Sequence, residues 1–358
     1  MVKKINMPKT KKSKFVSGAV VDIRPEEEKA KDFQFSEIVA SANPVNWIEK
    51  NPADYRRFPI FNQDGSGSCV AQTQAKELGI LRWLKDKIYV HFSAGDIYQR
   101  RSNKPASGMG SIDVRQIAAK GATLEVLAPS QNMSDAQMDA LVVEDYKRSV
   151  GSVFAVPNYV SLTSGDMETI ASVIQTTGKG VMVWFFWKID EWTEHPKVLY
   201  PTLSLNDNDP SIGRHSVCAV DFTLVDGKKC LVIEDSWGSS YGLAGQRIID
   251  EDFFKTRNFY AGYLVSFKFD APDTKPHFVF NTDMEFGQTN DDIIHLQDCL
   301  KYEKLFPSNT QSSGYYGAIT KKAVGDFQVK YGIVGIGGAG YGRAGSLTRA
   351  KLNEIYGQ

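Results

Sequence analysis

The sequence predicts an α+β protein with a helical lobe, a β lobe and a small three-helix module at the end. Three observations carry this. Ala71, Ala75, Leu78, Leu81 and Leu84 recur at intervals of four or three, which marks one face of a helix, and a second helical run covers Ile112 to Lys120. From Val153 onward the chain changes to strand-like pieces such as Val153–Val156 and Val181–Phe186. After Asp270–Pro276, a stretch of linker composition, helical spacing returns. The expected divisions are a basic extension over 1–37, a main domain over 38–269, a linker over 270–284 and a terminal module over 285–358.

The chain has 358 residues, and 42 Lys and Arg balance 42 Asp and Glu. That balance gives no support for nucleic acid as a partner. No apolar run approaches the length of a membrane span. The lysines of the first 14 residues are followed by no apolar core, so no secretory signal is expected. The spacing of the four cysteines suggests no metal site, and no cofactor is expected. Cys218, Cys230 and Cys299 lie in apolar contexts and are expected to be free core thiols.

Cys69 stands apart from them. The stretch Gln63-Asp64-Gly65-Ser66-Gly67-Ser68-Cys69 is a polar turn running into the helix that begins near Cys69. Gly65 and Gly67 allow a sharp bend and close approach of a ligand. A thiol in a helix's first turn faces the positive end of the helix dipole, which stabilises the thiolate. The Gln63 side chain and the Cys69 N–H can converge on one oxygen as an oxyanion hole.

This motif resembles that of the papain-like cysteine peptidases, in which a Gln, a short Gly/Ser/Cys turn and Ser-Cys precede a helix. Val70 stands where that family has an aromatic residue, and Ser66 where it has a disulfide cysteine. The resemblance implies a two-lobe fold with a helical lobe and a β-barrel-like lobe. Asn46-Trp47 matches the lead-in pair, and Ser93 is placed to cap a second helix. Ser107-Gly108 sits at the position of a Gly-Gly pair whose extended backbone binds substrate, and Met109 follows where a pocket residue would lie. The segment ahead of the main domain is shorter than the family's usual inhibitory prodomain, which leaves room for only a short tail over the cleft. The aromatic run Trp184 to Trp187 reads as core and flank of a β-domain. Asp190 to Asp209 reads as a long polar loop in which His195 has no recognisable partner.

The second half of the site lies on a hairpin. Gly213–Val220 opens a strand, Asp226-Gly227 is a turn signal, and Cys230–Glu234 returns. Folding the chain there brings His215 and Asp235 to one end. A His beside a thiol takes its proton and later protonates the leaving amine, and a third group orients the ring. By resemblance to the family's His strand and Asn-Ser-Trp-Gly motif, His215 is the base, Asp235 the orienting group and Trp237 the ring that shields their bond. Ser216 and Trp237 join Ser107, Gly108 and Met109 as implied substrate-binding residues. Asp replaces the family's Asn, and an anion there raises the imidazole pKa, whereas Arg214 acts the other way.

In the terminal module, Asp291–Leu300, a Thr320-capped segment through Gln328, and Gly345–Leu352 read as three helices. Ile294, Gln297, Leu300, Gly317, Thr320, Ala323-Val324 and Phe327-Gln328 resemble the three-helix peptidoglycan-binding domain. The Gly335–Gly342 stretch is a candidate groove-lining loop, and His295 a lone helix His that is no metal ligand.

The resulting expectation is a cysteine peptidase hydrolysing amide bonds through Cys69, His215 and Asp235, directed to bacterial peptidoglycan as a lytic or wall-anchored enzyme. Peptidoglycan and peptide or protein substrates are the expected partners, and a monomer is expected. The enzyme is expected to be made in the cytoplasm and to act at the bacterial wall or from a virion. An inactive wall-binding protein on the same scaffold, or an acyl-transferring thiol enzyme, would carry the same residues.

Overall fold

The computed structural model describes residues 18–22, 24–25, 29, 33–34, 44–188, 191–192, 198–199, 212–267, 275–306 and 312–357. Among these, ten α-helices, one short 3-10 helix (Pro52–Asp54) and ten strands follow one another. The first part holds β1 (Ala19–Val20), β2 (Phe33–Gln34), α1 (Cys69–Asp86), α2 (Ala94–Tyr98), β3 (Met109–Gly110), α3 (Ser111–Ala118), α4 (Asp135–Asp139) and α5 (Asp145–Ser152). The β-rich part holds β4 (Tyr159–Leu162), α6 (Met167–Thr177), β5 (Val181–Lys188), β6 (Val198–Leu199), β7 (Ile212–Val225), β8 (Lys228–Glu234), β9 (Gln246–Asp250), α7 (Glu251–Arg257) and β10 (Asn258–Leu264). Three helices end the chain: α8 (Asp291–Tyr302), α9 (Ala318–Lys330) and α10 (Ser346–Tyr356).

Eight strands form one sheet in the order β2-β4-β10-β5-β7-β8-β9-β6. It does not close, which corrects the expected barrel-like lobe. Its outer members β2 and β6 are two-residue strands paired on one side only among the described residues. The residues Val153–Val156, expected as a strand, follow α5 instead, and the strand begins at Tyr159.

β5 explains why its sequence reads as unbroken apolar. Met182 and Trp184 join the core beneath α1, while Val181, Val183, Phe185 and Trp187 join the core shared with α6 and α7. Side chains alternate across a strand, so a strand buried on both faces needs no polar positions. Of the aromatic run, Trp184, Phe185 and Trp187 are therefore core, and Phe186 is half-buried at its flank.

Both faces matter to the site. α1 packs against β5, β7 and β10. The β7–β8 hairpin turns at Asp226 (φ 50°) and Gly227 (φ 77°), two positive-φ residues that match the strands' twist. A bulge between Ala219 and Asp221 shifts its register, so Cys218 pairs with Glu234.

The terminal helices enclose a core of their own, including Phe280, Ile293, Leu296, Leu300, Val324, Phe327, Leu352 and Tyr356. Helix α9 starts at Ala318 with Gly317 at its cap position, so Thr320 lies inside the helix and does not cap it. Of the expected linker, 270–274 falls outside the described residues, as do His195 and all but two helical and two strand residues of the 190–209 loop.

Candidate active site

Cys69 is the first residue of α1 and is fully buried. The turn before it bends at Asp64 (φ 45°) and Gly65 (φ 80°). Ser66 donates its hydroxyl to the Gln63 carbonyl (2.7 Å), and its N–H reaches the same oxygen (3.0 Å). The Gln63 N–H donates to the Ser236 carbonyl (2.8 Å), tying the turn to the hairpin strand end.

Asp135, the first residue of α4, accepts the Gly67 N–H on one oxygen (2.9 Å) and the Ser107 hydroxyl on the other (3.0 Å). One carboxylate thus clamps the nucleophile turn to the neighbouring loop, in a chain whose described cysteines are all free.

His215 stands on β7 and Asp235 directly after β8. His215 Nε2 and Asp235 Oδ1 are 2.8 Å apart, and both residues are buried. The imidazole's other nitrogen is left for the Cys69 side chain, whose sulfur acts electrostatically on the ring. Burial alone would lower the His215 pKa. The Asp235 charge and hydrogen bond, helped by the Cys69 sulfur, outweigh it and raise the pKa to about 9. Burial likewise pushes the Asp235 carboxyl up, but His215 and Arg247 hold it at about 2.

Trp192 and Arg247 belong to this site and were not anticipated. Trp192 Nε1 donates to Asp235 Oδ2 (2.8 Å), and Arg247 Nε donates to the same oxygen (3.2 Å). Trp192 sits in a polar-looking stretch far from any motif, and Arg247 in the strand β9. No local signal marks either; only a buried carboxylate's need for donors would have prompted a search. Trp237 packs its ring 5.6 Å from the His215 ring, with Trp187 5.6 Å away on another side.

The Gln63 side chain lies in the site but is partly committed. Its Nε2 donates to the Ser66 carbonyl (2.6 Å), and its Oε1 accepts from the Ser236 hydroxyl. A primary amide has two N–H donors, so one remains for an oxyanion.

The expected substrate-binding residues divide. Ser216 is fully buried and donates to Thr73 Oγ1 on α1 (3.0 Å), so it does not reach the cleft. The Ser107 hydroxyl is held by Asp135, and the Gly108 N–H by the Tyr98 hydroxyl (2.9 Å). Met109 is fully buried in the core beneath α1, so it lines no open pocket. Its backbone N–H, however, faces the cleft and is taken by the chain's own N-terminal segment.

That segment crosses Cys69. The Gly18 N–H donates to the Arg214 carbonyl (3.1 Å), and the Gly18 carbonyl accepts from the Met109 N–H (2.8 Å). β1 then runs parallel to β3, with Ala19 beside Met109 and Val20 beside Gly110. A Cβ on Gly18 would overlap both Cys69 Sγ and the Gly67 carbonyl, so only glycine fits. Beyond β1, Asp22 accepts from the Ser111 hydroxyl at the start of α3 (2.8 Å) and holds Arg24 in an ion pair (2.7 Å). An open polar cavity of about 380 Å³, lined by Asn62, Asp64, Gly65, Trp237 and Tyr241 among others, flanks the turn.

No family model matches the chain, and no curated protein matches it either. Solved structures do. Digestive procathepsin L 3 of Tenebrio molitor larval midgut matches at 17% identity and a TM-score of 0.52, over 70% of this chain and 76% of that one. Xylellain, a cysteine protease from Xylella fastidiosa, matches at 18% identity and 0.53, over 72% of this chain and 98% of that one. The fold is therefore papain-like.

Proposed function

We propose that this chain is a papain-like cysteine peptidase held latent by its own N-terminal segment. The observation that carries it is a buried Cys69 opening a helix beside His215, whose ring is in turn hydrogen-bonded to Asp235. His215 as imidazolium beside the thiol favours the thiolate, the form that attacks a carbonyl carbon. The oxyanion so formed is held by the Cys69 N–H at the helix start and the spare Gln63 N–H. The amide C–N bond then breaks as His215 gives its proton to the leaving amine. Water, deprotonated by His215, cleaves the thioester and returns the thiol.

The N-terminal segment occupies the line a substrate backbone would use. Its Gly18 carbonyl is taken by the Met109 N–H. The segment therefore blocks without presenting the Gly18–Ala19 bond for attack. The open cavity beside Trp237 is the remaining room for a substrate's other half.

The terminal helices are read as a peptidoglycan-binding module that raises the enzyme's effective concentration at the wall. Their support is the motif pattern and a separate core. A wall-directed lytic peptidase is the overall reading. Because the segment covers Cys69, the test is hydrolysis of purified peptidoglycan and of casein by the Gly18→Ala chain, against the same chain carrying Cys69→Ser as well. New amino groups from peptidoglycan with the Gly18→Ala chain alone support it. Cleavage of casein alone removes the lytic role, and identical behaviour of the two proteins removes the catalytic one.

A further inference from the structure

Asp235 is a buried carboxylate in a place where its charge has consequences. All four donors it meets are within hydrogen-bond reach: His215 Nε2 (2.8 Å) and the Ser236 N–H (2.7 Å) on Oδ1, and Trp192 Nε1 (2.8 Å) and Arg247 Nε (3.2 Å) on Oδ2. Arg247 is 1% exposed, on β9 opposite Ile233 of β8. Its guanidinium also donates to the Trp192 carbonyl (2.7 Å) and lies over the Trp192 and Trp237 rings at 4.9 and 5.8 Å.

We propose that Arg247 is the counter-ion that lets an aspartate orient the catalytic imidazole, so that Asp235 and Arg247 work as one neutral pair. This rests on the peptidase reading. Hydrolysis requires His215 to lose its proton to the leaving amine and regain it from water. If His215 were the only cation beside Asp235, each loss would leave a buried, unpaired carboxylate, which is strongly disfavoured. The imidazolium would hold its proton and the leaving amine would go unprotonated. With Arg247 in place, Asp235 stays balanced in both states of His215. Arg247 touches neither thiol nor substrate; it is a positioning residue acting through Asp235, and Trp192 is clasped by both partners. An amide in place of Asp235 would need no such cation.

The charged and titratable groups facing this pair are few. His215 meets Asp235 and Cys69, Asp235 meets His215 and Arg247, and Arg247 meets Asp235 and Tyr241. Removing the guanidinium leaves the pull of Asp235 on the imidazolium unopposed, so the His215 titration moves to higher pH.

The test is a cycle of Arg247→Met, Asp235→Asn and the double variant, made in the whole chain with Gly18→Ala added throughout so that the segment over Cys69 does not mask activity. Two readouts are taken: the His215 titration midpoint by NMR, and kcat/KM on casein across pH. The titration needs no activity, so it separates failure of this proposal from failure of the peptidase reading. Arg247→Met is expected to raise the His215 midpoint by about one pH unit and to lower kcat more than it changes KM. The double variant is expected to recover at least about tenfold over Arg247→Met in kcat, a coupling ordinary for groups in contact. If Arg247→Met does not fold while the double variant does, the pairing stands. A double variant no better than Arg247→Met, or a His215 midpoint unmoved in a folded Arg247→Met, overturns the proposal and leaves Arg247 as packing for Trp192.

Discussion

At the scale of single residues, His215 sets the pH range. Its folded pKa is raised to about 9, above the ordinary value of about 6.5. The imidazolium form that pairs with the thiolate is therefore fully present below about pH 6.5 and is lost as pH rises through 9. kcat/KM on a peptide substrate should fall on the alkaline side with a midpoint near 9. A fall centred near 6.5 would mean that Asp235 does not hold the proton on His215. Asp22 behaves in the opposite sense. Its carboxyl is lowered to about 2, where Arg24 and Ser111 outweigh burial. Its grip on α3 is present above about pH 4 and is lost only as pH falls through 2. Acidifying to pH 4 should therefore release no activity, whereas Asp22→Asn should raise it at neutral pH. Gly18→Ala should do the same by steric overlap with Cys69 Sγ. Equal rates for wild type and both variants would remove the blocking role of the segment.

At the scale of elements, the sequence exposed the pieces that carry chemistry and hid those that support them. The helix opening at Cys69 and the Asp226-Gly227 hairpin were legible because turn glycines and apolar spacing are local signals. Asp135, Trp192 and Arg247 were not, since each acts across a gap of many residues that only the folded chain closes. The position of Ser216 follows from strand geometry. Alternation along β7 sends it to the α1 side, where Thr73 receives its hydroxyl, while His215 faces Asp235. Asp135→Ala should loosen the nucleophile turn, because the Gly67 N–H and the Ser107 hydroxyl both lose their acceptor. A loss of about 1 kcal/mol is expected, since Gly67 is buried but Ser107 is only half-buried and water can reach it, read as a lower Tm together with lower kcat. Unchanged Tm and kcat would remove the clamp.

The terminal module's quoted motif has a structural reading at this scale too. Gln297 Nε2 donates to the Tyr315 carbonyl and Thr320 Oγ1, and Gln328 Nε2 donates to the Gly340 and Arg343 carbonyls and Thr348 Oγ1. Each Gln clasps the loop that follows its helix and the threonine near the start of the next. The motif glutamines and threonines are thus buried supports, and the Gly340 and Gly342 backbone is held by one of them. His295 stacks on Phe278 at 4.0 Å.

At the scale of the whole molecule, a papain-like core carries an attached helical module, and the two are proposed to divide hydrolysis from wall attachment. Shortening the Gly18→Ala chain to end at 269 should leave its casein hydrolysis in place while abolishing retention on sedimented peptidoglycan. Retention that persists would place wall binding in the catalytic part. The sequence could suggest this division because a linker composition and a reset of helical spacing are visible without structure.

The central claim is that Cys69 is an activated nucleophile covered by the N-terminal segment. It is tested most directly by alkylation with iodoacetamide at neutral pH, followed by mass spectrometry of peptides holding each of the four cysteines. Wild type, Gly18→Ala and Asp22→Asn are compared. The account predicts that Cys69 is modified faster than the buried Cys218, Cys230 and Cys299, and markedly faster again in both variants. Cys69 reacting no faster than those three in any of the proteins would contradict it.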